Sequence, residues 1–105
     1  MSQFCAYKNP NFATHIQYPF LLDIQNDLLR ELRTTIVIPL TPSKIAAPIS
    51  LTRLNPILVL NGERFTAMTQ DMAGIDRHQL GAQVYDLSVY RSEIVAAVDF
   101  VLSGI

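Results

Sequence analysis

Residues 57–68 read ILVLNGERFTAM. Two apolar runs meet at Asn61-Gly62, and both turn residues tolerate the positive φ of a type I′ turn. The stretch therefore predicts a β-hairpin, with strands over 57–60 and 63–68. A two-residue connection joins only antiparallel neighbours, so the hairpin points to an antiparallel sheet.

Upstream of it, 34–38 is the β-branched run TTIVI, of the kind found in a strand buried on both faces. Pro39 lacks an N–H, which places a strand end or a sheet edge there. Residues 41–55 carry Pro42 and Pro48 and read as a loop with one helical turn over 43–47. A strand is expected over 18–25, with Phe20, Leu22 and Ile24 on one face and Leu21, Asp23 and Gln25 on the other. After the bend at Asn26-Asp27, Leu28, Leu29 and Leu32 suit either a helical turn or an exposed apolar loop. Residues 3–7 form a short first strand, closed by the turn signal Asn9-Pro10-Asn11. Downstream of the hairpin, 69–74 is a loop, 75–80 a last strand and Gly81 a break.

Residues 86–105, DLSVYRSEIVAAVDFVLSGI, read as one helix. Ser88 is the expected N-cap, and Asp86 suits the positive end of the dipole. Ile94, Val98, Val101 and Ile105 form one apolar stripe, and Val95 and Leu102 a second beside it. A helix apolar nearly all round is covered on more than one side. It is too short to span a bilayer, which needs about 20 apolar residues. Gly104 is expected at C′ in the left-handed conformation, with Ile105 folded back on Phe100. Four to six short strands and one terminal helix make a mainly β fold, either a partly open antiparallel barrel or a sheet covered by the helix.

The 105 residues fit one domain, 1–105. Half the chain is hydrophobic and only 16% is charged, against about 25% in average proteins. A chain this small buries about 65% of its unfolded surface. Apolar residues are therefore left outside the monomer core, which favours an oligomer or a partner. The net charge of −1 argues against sequence-independent nucleic-acid binding, which needs a basic face. Cys5 is the only cysteine and the N-terminus lacks a signal-peptide pattern, so a cytoplasmic, reducing location is expected.

Catalytic constellations are thin. His15 and His78 have no metal-ligand spacing around them, and Cys5, beside Phe4, reads as a buried inert thiol. The four glycines are dispersed and form no phosphate loop. Asp23 and Asp27 share a side only if a cleft brings them together. Arg30-Glu31 and Arg91-Glu93 read as solvated charge. No cofactor or metal is expected, and binding is favoured over catalysis.

Several short stretches resemble the CcdB family, the toxins of ccd toxin–antitoxin modules. They are Gln3-Phe4 and Tyr7; LDIQNDLL at 22–29; IVIPL at 36–40; MTQDM at 68–72; DLS at 86–88; and Ser103-Gly104-Ile105. Their order and spacing cover the chain end to end. The resemblance implies an SH3-like, partly open β-barrel with a C-terminal helix, assembled as a homodimer. It implies a toxin that binds the A subunit of DNA gyrase and traps the cleaved-DNA complex, neutralised by a CcdA-type antitoxin. Operator DNA would be met only through the toxin–antitoxin complex, as a co-repressor. By the same resemblance, Leu28, Leu29, Asp99, Leu102, Ser103, Gly104 and Ile105 face gyrase. Gln3, Phe4, Tyr7, Asn26, Leu28 and Leu29 face the antitoxin.

Two residues depart from the F-plasmid-type toxin. Asp99 stands in place of Asn, and Ser103 in place of a Trp that stacks on the gyrase arm. Losing an aromatic anchor costs roughly 2–4 kcal/mol of binding. These departures keep open a module member that binds antitoxin with weak or no gyrase poisoning. A ribonuclease toxin of the MazF/Kid kind, which shares the barrel, is a further alternative. That chemistry needs Arg, His, Asp or Glu converging on a basic groove, and groove-forming charge is missing here.

The surplus apolar surface yields the first prediction. Light scattering across micromolar concentrations is expected to give a dimer mass, and a persistent monomer would count against the surface argument.

Overall fold

The structure is a computed structural model in which residues 3–46 and 53–104 are described. Seven strands form one curled antiparallel sheet: β1 (Cys5–Lys8), β2 (Phe20–Asp23), β3 (Thr34–Pro42), β4 (Ile57–Leu60), β5 (Glu63–Ala67), β6 (Ala73–Asp76) and β7 (Gln83–Asp86). Their order is β4-β5-β3-β2-β1-β7, and β6 pairs with β3 off this path. A short helix α1 (Ser43–Ala46) follows β3, and the long helix α2 (Arg91–Ser103) ends the described chain. This is the mainly β, partly open, SH3-like barrel with one C-terminal helix.

The hairpin forms as its residues dictate. Asn61 and Gly62 take φ +51° and +81°, the left-handed values a type I′ turn needs. Leu60 then pairs with Glu63 and Leu58 with Phe65. Leu58, Leu60 and Phe65 turn inward to join Leu22, Ile38 and Leu40, and Ile94 of α2 plugs the same core.

β3 is longer than the β-branched run suggests, and Pro39 lies inside it rather than at its end or at a sheet edge. On one side β3 pairs with β2 from Phe20↔Leu40 to Asp23↔Val37. On the other it pairs with β6 over 34–37 and with β5 over 40–42. Pro39 falls at the handover between these two partners, where no ladder donor is required of it. Its carbonyl still accepts a hydrogen bond from Met68 N–H at 2.9 Å. A proline fits within this strand because no ladder donor is missed there.

Three further expectations are corrected. The strand placed over 75–80 is β6, shifted to Ala73–Asp76, and Arg77–Gln79 is a 3-10 turn held by a capping box between Asp76 and Gln79. Gln83–Asp86 is a strand, formed by pairing with β1 across a register shift at Ala6/Tyr7. Helix α2 accordingly starts at Arg91, and Ser88 does not cap it. Ser88–Tyr90 is a 3-10 turn, and the Ser88 N–H donates to Asp86 Oδ1 at 2.9 Å. At the other end Gly104 takes φ +73°, and its N–H donates to the Phe100 carbonyl at 2.8 Å, the expected αL stop. Ile105, and residue 47 at the end of the predicted turn over 43–47, lie outside the described residues. Among the described residues no helix is long and apolar enough to cross a membrane.

Gly81 has a steric reason for being glycine. A Cβ there would lie 2.8 Å from the Lys8 carbonyl oxygen, beside the Gly81 N–H bond to that same oxygen. Gly81→Ala is expected to cost about 1–3 kcal/mol in chemical denaturation, the range of an overpacked site. Gly74→Ala, whose Cβ meets only one atom, at 4.0 Å, is expected to stay within about 0.5 kcal/mol of wild type.

Candidate functional site

The connection between β2 and β3 forms an apolar hook. Asn26 Oδ1 accepts the Leu28 N–H at 2.8 Å and so caps the 3-10 turn Asp27–Leu29. Leu28 is 88% exposed and Leu29 47%; neither is buried in the core, and Leu32 is half exposed beside them. Large apolar groups in water carry a cost that burial against a partner would relieve.

The hook is firmly held from below. Asp27 Oδ1 accepts the Gln3 N–H at 2.7 Å, and Gln3 Nε2 donates to the Ile24 carbonyl at 3.1 Å. Gln25 Nε2 donates to the Thr34 carbonyl at 3.1 Å across the base of the loop. Arg77, from the turn after β6, donates from Nε to the Leu32 carbonyl at 2.6 Å and from Nη2 to the Leu29 carbonyl at 3.1 Å. Its Nη1 lies 4.0 Å from Asp23 Oδ2.

Asp23 is buried, and its Oδ1 accepts the Thr35 hydroxyl at 2.8 Å and the Gln25 N–H at 3.1 Å. Burial pushes its carboxyl above the ordinary value of 3.8. The Thr35 and Gln25 hydrogen bonds and the Arg77 charge oppose that rise, and Asp27 adds to it. Asp23 and Asp27 therefore do share a neighbourhood, but each carboxylate is spent on holding the chain.

Gln3 links the hook to the helix. Gln3, Phe4 and Ile24 line a small cavity of about 100 Å³ together with Ile94, Val95, Val98 and Asp99 of α2. Phe4 is 6% exposed, with φ +67°, an outlier for an aromatic residue. Its N–H donates to the Asp23 carbonyl at 2.7 Å, its carbonyl accepts from Leu87 N–H at 2.8 Å, and the Arg91 guanidinium lies 5.8 Å from its ring centre. Asp99 also borders a second depression with Arg53, Ala96, Leu102 and Ser103. Leu102 is 73% exposed. The Ser103 hydroxyl donates to the Asp99 carbonyl at 2.7 Å, the i−4 back-bond of a helical serine.

One strip thus runs from Asn26, Leu28 and Leu29, past Gln3 and Phe4, to Asp99, Leu102, Ser103 and Gly104. Tyr7 is separate: it is 3% exposed, and its hydroxyl donates to Gln83 Oε1 at 3.1 Å. The apolar content of α2 is also resolved. Ile94 and Ala97 are buried, while Val95 stays partly exposed at the rim of the small cavity and Leu102 is largely exposed.

The histidines lie elsewhere. His15 packs against the Phe12 ring, with centroids 5.7 Å apart. His78 borders a groove of about 430 Å³ whose floor includes Leu21, Val37 and Ile75. At its edge the Tyr18 hydroxyl donates to Asp71 at 3.4 Å, and desolvation, with the Asp71 charge, holds the phenol above its ordinary pKa. A phenol so placed is a donor and not a base. Among the described residues no three His, Cys, Asp or Glu side chains group as a metal site.

The CcdB protein family model matches residues 3–104. The chain belongs to the CcdB family. The family is one of toxins from toxin–antitoxin modules, and the match spans the whole strip. Solved structures share the fold of this CcdB-family chain at low identity. An endoribonuclease in complex with its cognate antitoxin, from a mycobacterial species, aligns with a TM-score of 0.76 at 10% identity, over 97% of this chain and 94% of that one. An Mtb toxin aligns with a TM-score of 0.70 at 16% identity, over 91% and 98%. The Mycobacterium tuberculosis toxin MazF-mt6 aligns with a TM-score of 0.65 at 17% identity, over 79% and 84%.

Asp23, Gln25 and Arg77 were missed as parts of this site. The Leu-Asp-Ile-Gln alternation over 22–25 marks Asp23 and Gln25 as sharing a sheet face, but nothing local ties either to Arg77. Carbon-detected NMR titration of Asp23 is expected to give a midpoint above 3.8. With the folded pKa raised, this group's contribution to stability is fully present below 3.8 and is lost as pH rises through its native midpoint. Over that interval Asp23 opposes the usual acid destabilisation.

Proposed function

We propose that this protein is the toxin of a toxin–antitoxin module, and that it binds the A subunit of DNA gyrase and traps it on cleaved DNA. It acts as a poison of another enzyme and not as a catalyst. A CcdA-type antitoxin neutralises it by covering Gln3, Asn26, Leu28 and Leu29, while buried Phe4 and Tyr7 support the chain beneath. Because Leu28 and Leu29 belong to both contact sets, antitoxin and gyrase compete for the hook. The protein works in the cytoplasm as a homodimer, and it meets operator DNA only within the antitoxin complex, as a co-repressor. A net charge of −1 suits that division of labour.

The observation that carries the reading is the display of Leu28, at 88% exposure, on a loop hydrogen-bonded at both ends. A rigid apolar anchor loses little conformational entropy on binding, which is how a few residues come to dominate an interface. Leu102 supplies a second apolar group on the same strip. Buried Phe4 acts from beneath, shaping the cavity next to Asp99.

Ser103 is the weak point of the strip for gyrase, since its hydroxyl is turned back onto its own helix. Calorimetric titration against a purified bacterial gyrase A subunit tests this. Leu28→Asp is expected to weaken binding by about 30-fold or more, and Ser103→Trp to tighten it by about tenfold or more, on the scale of hot-spot anchors. Deleting residues 103–105 is expected to abolish poisoning while costing only about 1 kcal/mol of stability. Equal affinities across wild type and all variants would refute the gyrase reading. Loss of gyrase binding with antitoxin binding retained would favour a non-poisoning module member.

A further inference from the structure

We propose that Arg77 is the positioning residue of the partner-binding hook: its guanidinium ties the Leu29 and Leu32 carbonyls to the buried carboxylate of Asp23 and so sets how Leu28 and Leu29 are displayed. The inference rests on the reading of the hook as a partner site.

The geometry is specific. A guanidinium offers five donors in a planar fork. Arg77 uses Nε on the Leu32 carbonyl at 2.6 Å and Nη2 on the Leu29 carbonyl at 3.1 Å, and it turns Nη1 toward Asp23 Oδ2 at 4.0 Å. Its side chain is only 15% exposed, and that of Asp23 only 3%. A charge so enclosed stays where its partners hold it. The backbone is engaged as well, since the Arg77 N–H donates to the Arg33 carbonyl at 2.9 Å. Two of the three carbonyls bound by Arg77 sit in or just after the turn that carries the exposed leucines. The Leu29 carbonyl also accepts the Leu32 N–H at 3.0 Å and Gln25 Nε2 at 3.4 Å, so Arg77 joins that carbonyl's existing bonds to the Leu32 carbonyl and to Asp23.

The connection 24–33 exposes all three leucines near its tip, Leu28, Leu29 and Leu32. Its shape leans on polar contacts, and Arg77 supplies two side-chain donors to its C-terminal half. Gln3, Asn26 and Gln25 add further side-chain bonds, and Arg33 pairs with Asp76, beside the loop's own backbone bonds. A lysine at position 77 would keep the charge but would lose the planar fork that reaches two carbonyls at once.

The test uses the full-length protein. In wild type, the Arg77 Nε–H is expected to give a distinct NMR resonance protected from solvent exchange; a resonance exchanging as fast as that of free arginine would overturn the clamp. Arg77→Gln is expected to speed amide exchange selectively over 27–33 while the amides of Ile38 and Leu58 stay protected. It is also expected to weaken binding to the gyrase A subunit by about tenfold, with Arg77→Lys falling between it and wild type. Uniformly faster exchange in all regions would show a merely structural role and would overturn the proposal. Leu28→Asp, measured alongside, separates the two readings. If Leu28→Asp loses binding and Arg77→Gln does not, the clamp is wrong and the partner site stands. If wild type and Leu28→Asp bind gyrase equally, the partner-site reading fails, and the exchange data alone decide on the clamp.

Discussion

Strand β3 carries the architecture, because it must satisfy both of its hydrogen-bonding edges with three neighbours. β2 covers one edge, and β6 and β5 divide the other. Nine residues are needed to do this. The side chains that alternate inward along β3, Ile38 and Leu40, form the centre of the core together with Leu22, Leu58 and Ile94. A register slip of one residue would turn those side chains outward, so the partner change at Pro39 also helps to fix the register. With no N–H to donate, Pro39 sits at the one position on that edge where a ladder bond is not called for. The sheet can then bend from β6 to β5 without stranding a buried donor.

The same economy explains where apolar surface remains. The core takes one face of α2, through Ile94 and Ala97, and leaves Val95 partly and Leu102 largely exposed. A helix packed on a curled sheet has only one face to bury when nothing closes over it. The hook between β2 and β3 leaves Leu28 and Leu29 outside for a different reason. It departs from the sheet beyond the reach of the core, and polar contacts hold it instead. Gln3 and Phe4 stand between these two apolar regions, and the positive φ of Phe4 turns the chain so that its ring faces the helix. Strain of this kind costs about 1–3 kcal/mol and persists only where neighbouring bonds enforce it. The hydrogen bonds to Asp23 and Leu87 on either side of Phe4 do so.

Asp23 is the polar counterpart of that apolar arrangement. A carboxylate buried beside the core is costly unless hydrogen-bonded and paired. Thr35, Gln25 and Arg77 meet that requirement together, and each also belongs to the base of the hook or to the strand beneath it. The need to satisfy one buried charge and the need to shape one exposed loop are thus met by the same residues. In the CcdB-family fold seen here, the surface feature of most functional interest is anchored in the interior.

The sequence alone determined what short-range chemistry controls. Asn61-Gly62 specified its turn because positive φ is tolerated there and the flanking residues alternate. Gly104 specified the helix end for the same conformational reason. The run at 34–38 was legible as strand because β-branching favours it, and the family motifs fall on the hook and the helix end. Tertiary structure decided the rest. Gln83–Asp86 offers only Val84-Tyr85 as a strand signal, too short a run to stand out, and becomes β7 by pairing with β1. Ser88 lost its expected capping role because Ser88–Tyr90 closes as a 3-10 turn and the α-helix begins only at Arg91. Pro39 became a mid-strand residue only because two different strands meet β3 on either side of it. Arg77 reaches carbonyls 45 and 48 residues away in the chain. No local pattern records such a distance, because the hydrogen bonds exist only after β6 has paired with β3 and brought the following turn under the loop.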